Sequence, residues 1–594
     1  MKSPVIPILP AGLAQADDAA RRQRRRRQPK GRVVDPAVAA EVRAWLGPDV
    51  PARDRLIEAL HGLNDRLGQL PAPHLVALAA WMRLPVAEVF EVASFYHHFE
   101  VVKEDADGRI APPAALTVRV CDGIACELAG ARELIARLPQ RLGREVRVIA
   151  APCIGRCEAA PAVLVHQHPV LRADDAAVQQ AVDAGQRHEV VSGAIGYAAY
   201  RATGGYALLR ECLEGRRTPD EVIGLLEHAG LRGLGGAGFP AGRKWRIVRG
   251  MAAPRYLAVN IDEGEPGTFK DRVVLETDPH RLLEGVLVAC WAVGIDAAWL
   301  YLRDEYHGLR ALLEAELRAL LADPPLPAAL LATWPLPRLE LRRGAGAYIC
   351  GEESAMIESI EGKRGWPRLR PPYVAEVGLF GRPTLEHNAE TLVWVRELVE
   401  RGPGWFAGQG RHGRRGLRRF SVSGRVREPG VKLAPAGITL RELVDEFCGG
   451  MAPGHELYAY LPGGASGGIL PARLADVPLD FDTLQPHGCF IGSAAVVVLS
   501  QHDRAVDAAR NLMRFFEHES CGQCTPCRVG TAKMNALIAH ERWDAALIGE
   551  LSQLMRDASI CGLGQAAPNP VDCVLRYFAH ELDGSLEPAT GSTA

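Results

Sequence analysis

The pattern of hydrophobic and polar positions changes twice within the first 170 residues. From 36 to 100, apolar residues recur every three or four positions in EVRAWL, RLIEALHGLNDRLG and PHLVALAAWMRL, a spacing that predicts amphipathic helices. Between 116 and 170, LTVRV and EVRVIAAP alternate like strands around the helical ARELIARLPQRL, and AVLVHQHPVL is strand-like again. The first segment therefore predicts a small helical bundle, and the second predicts a small α/β domain.

A larger α/β region follows a mixed, glycine-rich stretch. From about 241 to 400, strands such as YLAVNI and AAWLYL alternate with helices such as HGLRALLEAELRALL. The next part has short strands around FSVSGRV, ELYAYLPGG and AAVVVLS with one helix, TLRELVDEF, and helical spacing dominates after it. We therefore predict a multidomain α/β protein with these divisions: a basic disordered tail (1–35), a helical bundle (36–110), a small α/β domain (111–185), a large α/β domain (190–412), an α+β module (413–503) and a helical domain (504–585).

Composition and charge exclude some function classes. The 594 residues carry a net charge of −2, which does not point to nucleic acid or to a membrane surface. Arginines concentrate at 21–32, which indicates a solvated tail or a docking arm for an acidic partner subunit. No apolar segment follows these arginines as an export signal requires, and the best apolar run, 285–295, is too short to cross a membrane. We expect a cytoplasmic protein.

The first cysteine cluster consists of two pairs. Cys121 and Cys126 follow one predicted strand, and Cys153 and Cys157 follow another. Disulfides are disfavoured in an unsecreted chain, so clustered cysteines indicate metal ligands. Two strand-end loops of one α/β domain can bring four thiolates together, which is the ligand set of a [2Fe–2S] cluster. Zinc is the alternative, although structural zinc sites favour closer C-x2-C pairs.

The second cluster has a different spacing. Cys521, Cys524 and Cys527 are three residues apart at the start of a predicted helix, and Cys561 is remote. Three close thiolates and one distant thiolate are typical of [4Fe–4S] ligation, again with zinc as the alternative. The other six of the fourteen cysteines are scattered and are expected to be small buried hydrophobes.

Three further segments are rich in glycine or in acidic residues. GLGGAGFPAGRKW, at 233–245, has five glycines that let the backbone turn N–H groups toward a phosphate, although tight turns alone also select glycine. NIDEGEPGTFKDR, at 260–272, follows a strand, and ligands bind at strand carboxyl ends in open α/β sheets. A solvated loop is the alternative there. GAGAYICGEE, at 344–353, is a third such loop.

Together these motifs carry a family resemblance. CDGIAC, APCIGRCEAAP and VASFYHHF resemble the thioredoxin-like ferredoxin subunit of respiratory complex I. Across about 195–580, the three loops, RPPYVAEVGLFGRPTLEHNAET and the second cysteine cluster resemble the FMN- and NADH-binding subunit of the same complex. The resemblance implies a helical bundle, a thioredoxin-like [2Fe–2S] domain, a Rossmann-like FMN and NADH domain, a β-grasp-like domain and a C-terminal helical bundle with a [4Fe–4S] cluster.

The resemblance also implies residue roles. The FMN phosphate would be held by Gly233, Gly235, Gly236 and Lys244. The flavin ring and ribityl chain would be held by Asn260, Asp262, Asn388 and Thr391. The flavin and nicotinamide side would be lined by Glu263, Tyr348, Gly351, Glu352 and Glu353. Of these, Glu263 and Glu353 would tune the flavin potential and the position of the nicotinamide.

The remaining implied contacts are with the rest of the dinucleotide. Glu265 would accept hydrogen bonds from the adenosine ribose, which favours NAD over NADP, and Arg370 would lie near the phosphates. Phe239 and Tyr373 would sandwich the adenine. Relatives often differ at five positions, with Arg at 234, an aromatic residue at 247, Lys at 370, Phe at 373 and Asn at 387.

The order of the two parts suggests a partner. A ferredoxin-like part before a flavoprotein part resembles the large diaphorase chain of soluble NAD-reducing [NiFe] hydrogenases. That resemblance implies hydride exchange between NAD(H) and FMN, single-electron transfer through iron–sulfur clusters, and partners that include a small iron–sulfur diaphorase subunit and the [NiFe] hydrogenase subunits. The alternatives are the same module in an NAD-dependent formate dehydrogenase or a fused complex I subunit. A non-enzymatic iron–sulfur or zinc scaffold is a hypothesis from another class.

Overall fold

The computed structural model describes residues 32–582. The basic tail predicted for 1–35 lies outside the described residues except for its last four positions. The described chain forms two compact units. The first comprises 32–95 and 99–113, and the second comprises 96–98 and 114–582, so the short segment 96–98 does not group with the helices that precede it.

The first unit contains the predicted helices. Its helices are Pro36–Leu46, Leu56–Leu67, Ala72–Met82 and Val86–Phe95. Two short parallel strands accompany them, β1 (Leu70–Pro71) and β2 (Val101–Val102). The first helix begins where the Asp35 carboxylate accepts a hydrogen bond from the Ala37 N–H at 2.8 Å. Leu56, Leu60 and Leu63 recur at helical spacing and are fully buried in this unit.

The second unit begins with a small mixed sheet. Its strands are β3 (Leu116–Cys121), β4 (Val146–Ala151), β5 (Val163–Val165) and β6 (His168–Val170), in the order β4-β3-β5-β6. Its helices are Ile124–Leu128, Ala131–Leu142 and Asp175–Asp183. β3 and β4 are parallel, so the loops that follow them leave the sheet at the same edge. Cys121 is the last residue of β3 and Cys126 lies in the helix Ile124–Leu128, while Cys153 and Cys157 follow β4, so both predicted cysteine pairs lie at this edge.

A larger sheet forms the middle of the unit. Its four strands are β7 (Tyr256–Ile261), β8 (Ala297–Leu302), β9 (Arg338–Arg343) and β10 (Thr384–Asn388), all parallel, in the order β10-β7-β8-β9. β9 (RLELRR) and β10 (TLEHN) were not predicted, because they contain only two and one apolar residues. The helix Pro279–Val293 contains most of the apolar run noted in the sequence and is a buried core helix.

Helices pack around the large sheet. They are Tyr197–Ala202, Ala207–Leu213, Pro219–Ala229, Ala241–Arg249, Lys270–Thr277, Pro279–Val293, His307–Ala322, Ala328–Thr333, Glu353–Ile360, Ala389–Arg401 and Pro403–Ala407. The first three lie in the stretch that the sequence pattern described only as mixed and glycine-rich. The third begins with a capping box at Thr218 and Glu221 and ends at Gly230 in the left-handed conformation.

A third sheet and a group of helices complete the chain. The strands are β11 (Leu417–Gly424), β12 (Gly430–Pro435), β13 (Leu457–Leu461), β14 (Leu470–Pro471) and β15 (Ala495–Ser500), in the order β12-β11-β15-β13-β14. The helix predicted at TLRELVDEF is a short α-helix, Leu440–Glu442, that continues as a π-helix, Leu443–Phe447. The C-terminal helices are Ala505–Glu519, Thr525–Ala539, Ala545–Ala558, Gly562–Ala566 and Asn569–Tyr577. Within 32–582, every helix is too short or too polar to cross a membrane.

Candidate active site and metal centres

Three of the predicted loop segments converge at one edge of the large parallel sheet. β10 pairs with β7 so that Asn388 lies directly beside Asn260. The Asn260 side chain donates to the Gly351 carbonyl at 2.8 Å and accepts from the Asp262 N–H at 3.0 Å. The carboxyl ends of two neighbouring strands and the 344–353 loop are therefore fixed to one another at the position where open α/β sheets bind ligands.

The glycine loop lies over the same edge. The Leu234 N–H donates to the Thr391 hydroxyl at 2.9 Å, which ties the loop to the start of the helix Ala389–Arg401. A Cβ added at Gly235 would lie 3.0 Å from the Asn388 Cβ, and Gly236 has a φ of +135°. Glycine suits both positions, the first for close approach and the second for its backbone conformation. The loop therefore forms a backbone-lined cradle in which a Cβ at Gly235 would require Asn388 to shift by a few tenths of an ångström.

Asp262, which directly follows β7 at this edge of the sheet, has an unmet hydrogen-bonding requirement. Among the described residues, its Oδ2 atom is buried without a hydrogen-bond partner. Burial raises the pKa of this carboxyl well above its ordinary value. A buried acceptor without a donor is costly in a native structure unless a ligand supplies the donor. The glycine cradle and this orphaned oxygen fit the flavin that the sequence motifs implied.

Lys244, predicted to hold the FMN phosphate, lies among carboxylates in the structure. Its Nζ donates to the Glu386 carbonyl at 3.0 Å and lies 3.2 Å from the Glu386 carboxylate and 3.8 Å from that of Glu353. Burial and the nearby Glu353 charge raise the pKa of Glu386. The ammonium group therefore already balances acidic charge at this edge, and its contact with a phosphate stays a prediction.

The other predicted charged residues lie close by. Arg370 forms an ion pair with Glu352 and lies 2.9 Å from the Glu353 carboxylate. Glu352 caps the helix Glu353–Ile360 by accepting hydrogen bonds from the N–H groups of Ser354 and Ala355. The Glu352 carboxylate is therefore fixed by the start of its helix, and it orients the more exposed Arg370.

Glu263, predicted to line the nicotinamide side, turns its carboxylate into the protein. It accepts hydrogen bonds from the Asp271 N–H at 2.8 Å, the Arg272 N–H at 3.1 Å and the Tyr306 hydroxyl at 2.9 Å. Burial, with a contribution from the Asp271 charge, raises the pKa of Glu263 to about 7. The side chain therefore caps the helix Lys270–Thr277.

Glu265, predicted to accept hydrogen bonds from the adenosine ribose, is also held by the protein. Its carboxylate accepts from the Ser466 N–H at 2.8 Å, from the Ser466 hydroxyl at 2.7 Å and from the Tyr348 hydroxyl. Burial raises its pKa. Tyr348 is thereby placed at the wall of the site, and its own N–H donates to Glu519 at 2.9 Å.

The predicted adenine contacts lie at the surface. Phe239 is 39% exposed and Tyr373 is 55% exposed, so both rings are open to a planar ligand. The Arg243 guanidinium lies 5.6 Å from the centre of the Phe239 ring. Ile247, where relatives often have an aromatic residue, is also accessible at 37%.

Lys270 is a central residue of the site to which the sequence motifs gave no role. It is buried, and its Nζ contacts Asp271 at 2.9 Å, Glu390 at 3.1 Å and the Asn388 side-chain oxygen at 3.2 Å. The Asn388 amide in turn donates to Asp271 at 2.6 Å. This network orients Asn388 at the sheet edge. The only sequence signal was the KDR that ends the 260–272 motif.

The first cysteine cluster is brought together as predicted. Cys121, Cys126, Cys153 and Cys157 are between 1% and 5% exposed, and the Sγ atoms of Cys153 and Cys157 are 3.3 Å apart. The Cys121 thiol interacts with those of Cys126 and Cys153. A Cβ at Gly123 would lie 3.3 Å from the Cys153 Cβ, so glycine permits the close approach of the two loops. Four converging buried thiols fit a [2Fe–2S] cluster.

The loop that carries Cys153 is anchored by residues of the large α/β region. Arg303 donates to the carbonyl oxygens of Cys153 and Glu263, at 2.7 Å and 2.5 Å, and is buried. Arg272 donates to the Gly155 carbonyl at 3.0 Å, and a Cβ at Gly155 would overlap the Tyr306 hydroxyl. No sequence motif pointed to these residues, because the anchors lie more than a hundred positions from the cysteine loop.

The second cysteine cluster surrounds a small cavity. Cys521, Cys524, Cys527 and Cys561 line it together with Ile349 of the 344–353 loop. Burial raises the pKa of Cys527 to about 11 and that of Cys561 to about 12, so both are protonated thiols at neutral pH unless a metal centre displaces the proton. Three close cysteines and one remote cysteine around one cavity fit a [4Fe–4S] cluster.

The comparisons with known families agree with this arrangement. The family model described as the Nuo51 FMN-binding domain matches residues 226–397. The model of the NADH-ubiquinone oxidoreductase-F iron–sulfur binding region matches 507–584, and that of the thioredoxin-like [2Fe-2S] ferredoxin matches 47–186. The predicted cofactors, namely FMN, NAD(H), one [2Fe–2S] cluster and one [4Fe–4S] cluster, are therefore confirmed at the level of the family.

Individual relatives were found among curated proteins and solved structures. The chain is 42% identical to an NADH-quinone oxidoreductase subunit of Rhizobium meliloti, over 65% of this chain and 94% of that protein. It is 41% identical to the mitochondrial NADH-ubiquinone oxidoreductase 51 kDa subunit of Neurospora crassa, over 62% of this chain and 77% of that protein. It is also similar to a chain of an NAD+-reducing [NiFe]-hydrogenase in the H2-reduced state, with 35% identity, a TM-score of 0.78, and coverage of 91% of this chain and 94% of that chain.

Proposed function

The chain belongs to the family of the NADH-ubiquinone oxidoreductase 51 kDa subunits, and from that premise we propose that it is the diaphorase chain of a soluble NAD-reducing [NiFe] hydrogenase. Its membership makes it an NADH-oxidising flavoprotein subunit with iron–sulfur centres. The proposal adds the partner. Electrons derived from H2 would pass from the hydrogenase subunits through a small iron–sulfur diaphorase subunit to this chain, where they would reduce NAD+. A cytoplasmic location is part of the proposal.

The observation that carries the proposal is the extent of the structural similarity. The likeness to the hydrogenase chain runs through the ferredoxin-like part and the flavoprotein part together, whereas the curated oxidoreductase relatives match about two thirds of this chain. The fused order therefore favours the hydrogenase over a complex I subunit. These curated relatives nevertheless keep a fused complex I subunit as the second candidate, and the formate dehydrogenase remains the third.

The site residues would act mainly by binding and orientation. Bound FMN supplies the conversion between a two-electron hydride and single electrons. Asp262, Asn260 and Asn388 would hold the flavin through directed hydrogen bonds, and the Gly235 cradle would exclude water from one side of it. The exposed rings of Phe239 and Tyr373 would position the adenine. Arg370 would attract the negatively charged dinucleotide to the entrance.

The chain also fixes the distance between the flavin edge and the second cysteine cluster. Tyr348 joins the two, because its hydroxyl binds Glu265 and its N–H binds Glu519, two residues before Cys521. Ile349, the next residue, lines the cysteine cavity itself. This short covalent and hydrogen-bonded connection would hold the electron donor and the first acceptor at a constant separation.

The proposed partner is tested by H2-driven NAD+ reduction in the complex purified from its native source, with formate as the parallel substrate. Reduction with H2 supports the hydrogenase assignment. Reduction with formate alone overturns it in favour of the formate dehydrogenase. NADH-dependent quinone reduction with neither H2 nor formate activity would identify a complex I subunit.

The proposed flavin cradle is tested separately with Gly235→Ala. The added Cβ would crowd Asn388, so we expect FMN to bind at least about tenfold more weakly, a loss of about 1.4 kcal/mol. Gly224→Ala is the matched control, because a Cβ there meets no atom within 4 Å. A fluorescence titration with FMN, after the bound flavin has been released, measures the FMN affinity of both variants. Equal FMN affinity in the two variants would remove Gly235 from the site.

A further inference from the structure

We propose that a cavity lined by arginines, next to the glycine loop, binds a phosphate-bearing anion at a site separate from those of FMN and NAD(H). The cavity, of about 240 Å³, lies between residues 230–234 and the start of β11. Arg232, Arg414, Arg415 and Arg418 line it, with Asp480 and Phe481. We call it the arginine cavity.

Arg418 provides the main observation. It is only 3% exposed, and its Nε and Nη1 atoms are buried without hydrogen-bond partners among the described residues. Its remaining terminal nitrogen donates to Asp480 at 3.1 Å. Burial lowers the pKa of Arg418 despite this carboxylate, so its charge is poorly compensated by the protein. A buried cation in this condition is stabilised by an anion placed beside it.

The rest of the cavity adds to the positive charge. Asp480 is shared between Arg418 and Arg414, whose Nε lies 2.8 Å from it, while Arg232 pairs with Asp482 at 2.8 Å. Arg415 is exposed on the rim, and within the part of the chain that the structure describes no carboxylate lies within ion-pair distance of it. Four guanidinium groups therefore meet the carboxylates of Asp480 and Asp482, while the Glu390 carboxylate, which also acts on Arg418, is shared with Lys270 and Arg419. Positive charge therefore remains in excess at the cavity, which favours an anion such as phosphate.

The cavity also has the shape that guanidinium recognition requires. The Arg232 and Arg418 guanidinium groups stack on the Phe481 ring, 4.4 Å and 4.3 Å from its centre. Stacking fixes the planes of both guanidinium groups, so less side-chain conformational entropy is lost when an anion binds. The volume corresponds to about eight water molecules, more than a carboxylate needs and enough for a phosphate with an attached sugar.

The arginine cavity is distinct from the predicted flavin site but shares a wall with it. None of the four residues predicted to hold the FMN phosphate, namely Gly233, Gly235, Gly236 and Lys244, lines the cavity. Arg232 nevertheless donates to the Gly238 carbonyl, and a Cβ at Gly238 would lie 2.5 Å from the Phe481 ring. A ligand in the cavity would therefore contact residues that also support the glycine loop.

The test is isothermal titration of the flavin-loaded full-length chain with inorganic phosphate and, in parallel, with AMP. Saturating FMN and NAD+ occupy the dinucleotide site, and chloride keeps the ionic strength constant. We expect saturable binding at one site. Arg415→Glu, a change on the exposed rim, should weaken it at least about tenfold. Arg542→Glu is the matched control, because it makes the same charge reversal at an exposed arginine outside the cavity.

Absence of saturable binding to the unmodified chain would overturn the proposal. An affinity of Arg415→Glu equal to that of the unmodified chain would also overturn it. AMP binding at least about tenfold tighter than phosphate would identify a nucleotide as the source of the phosphate, and equal affinities would identify the free ion. Arg418→Gln should also lose binding. If that variant does not fold, Arg415→Glu decides the matter alone. NADH-driven dye reduction, measured on the same samples, reports the proposed function independently and should be unchanged.

Discussion

The two cysteine clusters differ in how far the protein covers them. The four cysteines of the first cluster are almost completely buried, and the loop that carries Cys153 and Cys157 is bound by Arg272 and Arg303 from the large α/β region. In the second cluster only Cys527 is buried, while Cys521, Cys524 and Cys561 are partly exposed. The first cluster is therefore part of a packed interior, whereas the second lies close to the surface.

This difference suggests different roles in electron transfer. A centre near the surface can pass electrons to another subunit, because the separation between the two carriers is then short. A centre enclosed by the protein is shielded from such exchange and is better suited to hold an electron than to deliver it. We therefore expect the second cluster to be the exit and the first to be a side store, and the following changes test that distinction.

The largest effect is expected from Cys521→Ser. Loss of one [4Fe–4S] ligand should remove about four iron atoms per chain and reduce electron delivery to the partner subunits below about 1%. NADH-driven ferricyanide reduction, which can draw on the flavin, should persist. Iron analysis and partner-linked rates measure the two effects. Cys212→Ser, in a buried cysteine outside both clusters, is the control, and full partner-linked activity in Cys521→Ser would contradict the exit role.

The second change is Cys153→Ser. It should remove about two iron atoms and lower the first unfolding temperature by on the order of 10 °C, because cluster binding contributes to the stability of this buried region. Partner-linked electron transfer should be affected much less than by Cys521→Ser. Calorimetry and iron analysis are the measurements, with Cys448→Ser as the matched buried control. A larger loss of electron transfer than in Cys521→Ser would reverse the assigned roles.

The third change, Arg303→Gln, tests the anchoring of the first cluster. The variant removes a buried cation that binds the carbonyls of Cys153 and Glu263, so we expect a loss of about 3–5 kcal/mol of stability. Removal of the positive charge should also lower the reduction potential of the [2Fe–2S] cluster, as followed by a redox titration. Arg303→Lys keeps the charge but not the two-pronged geometry. An unchanged potential in Arg303→Gln would show that the arginine has no electrostatic influence on the cluster.

The smallest effect concerns pH. The pKa of Glu263 is about 7 in the folded protein, above its ordinary value of 4.5, so the folded state retains a proton that the unfolded chain has released. Its contribution to stability is therefore lost as the pH rises from about 4.5 to about 7, by about 3 kcal/mol in total. Glu263→Gln should lack this slope in denaturation measured between pH 5 and 8. Parallel stability curves for variant and wild type would disprove the assignment.

The sequence predicted much of the fold because many of its elements carry local signals. Strands such as AAWLYL and helices such as Ala505–Glu519 have the expected spacing and occur as predicted. β9 and β10 were missed because they contain only two and one apolar residues, too few for a clear alternation. The π-helical turn at Leu443–Phe447 was missed because its hydrogen-bond pattern has no distinct composition.

The sequence predicted the segments of the candidate site but not the orientation of its side chains. The cysteine spacings and glycine loops identified which segments should meet, and the structure brings them together at two strand edges and one cavity. The direction of individual side chains did not follow from the motifs. Glu263 and Glu265 bond within the protein, and Lys270 and Arg303 emerged as supporting residues only through partners far away in the chain.

By itself, then, the amino-acid sequence determined the helical and strand periodicities, the two sets of clustered cysteines and the loops suited to a nucleotide. These are local properties, fixed by spacings of a few residues. Only the tertiary structure decided which cluster is buried, where Glu263 points and that four arginines surround one cavity. Burial and electrostatic environment depend on residues hundreds of positions apart, which no local pattern records.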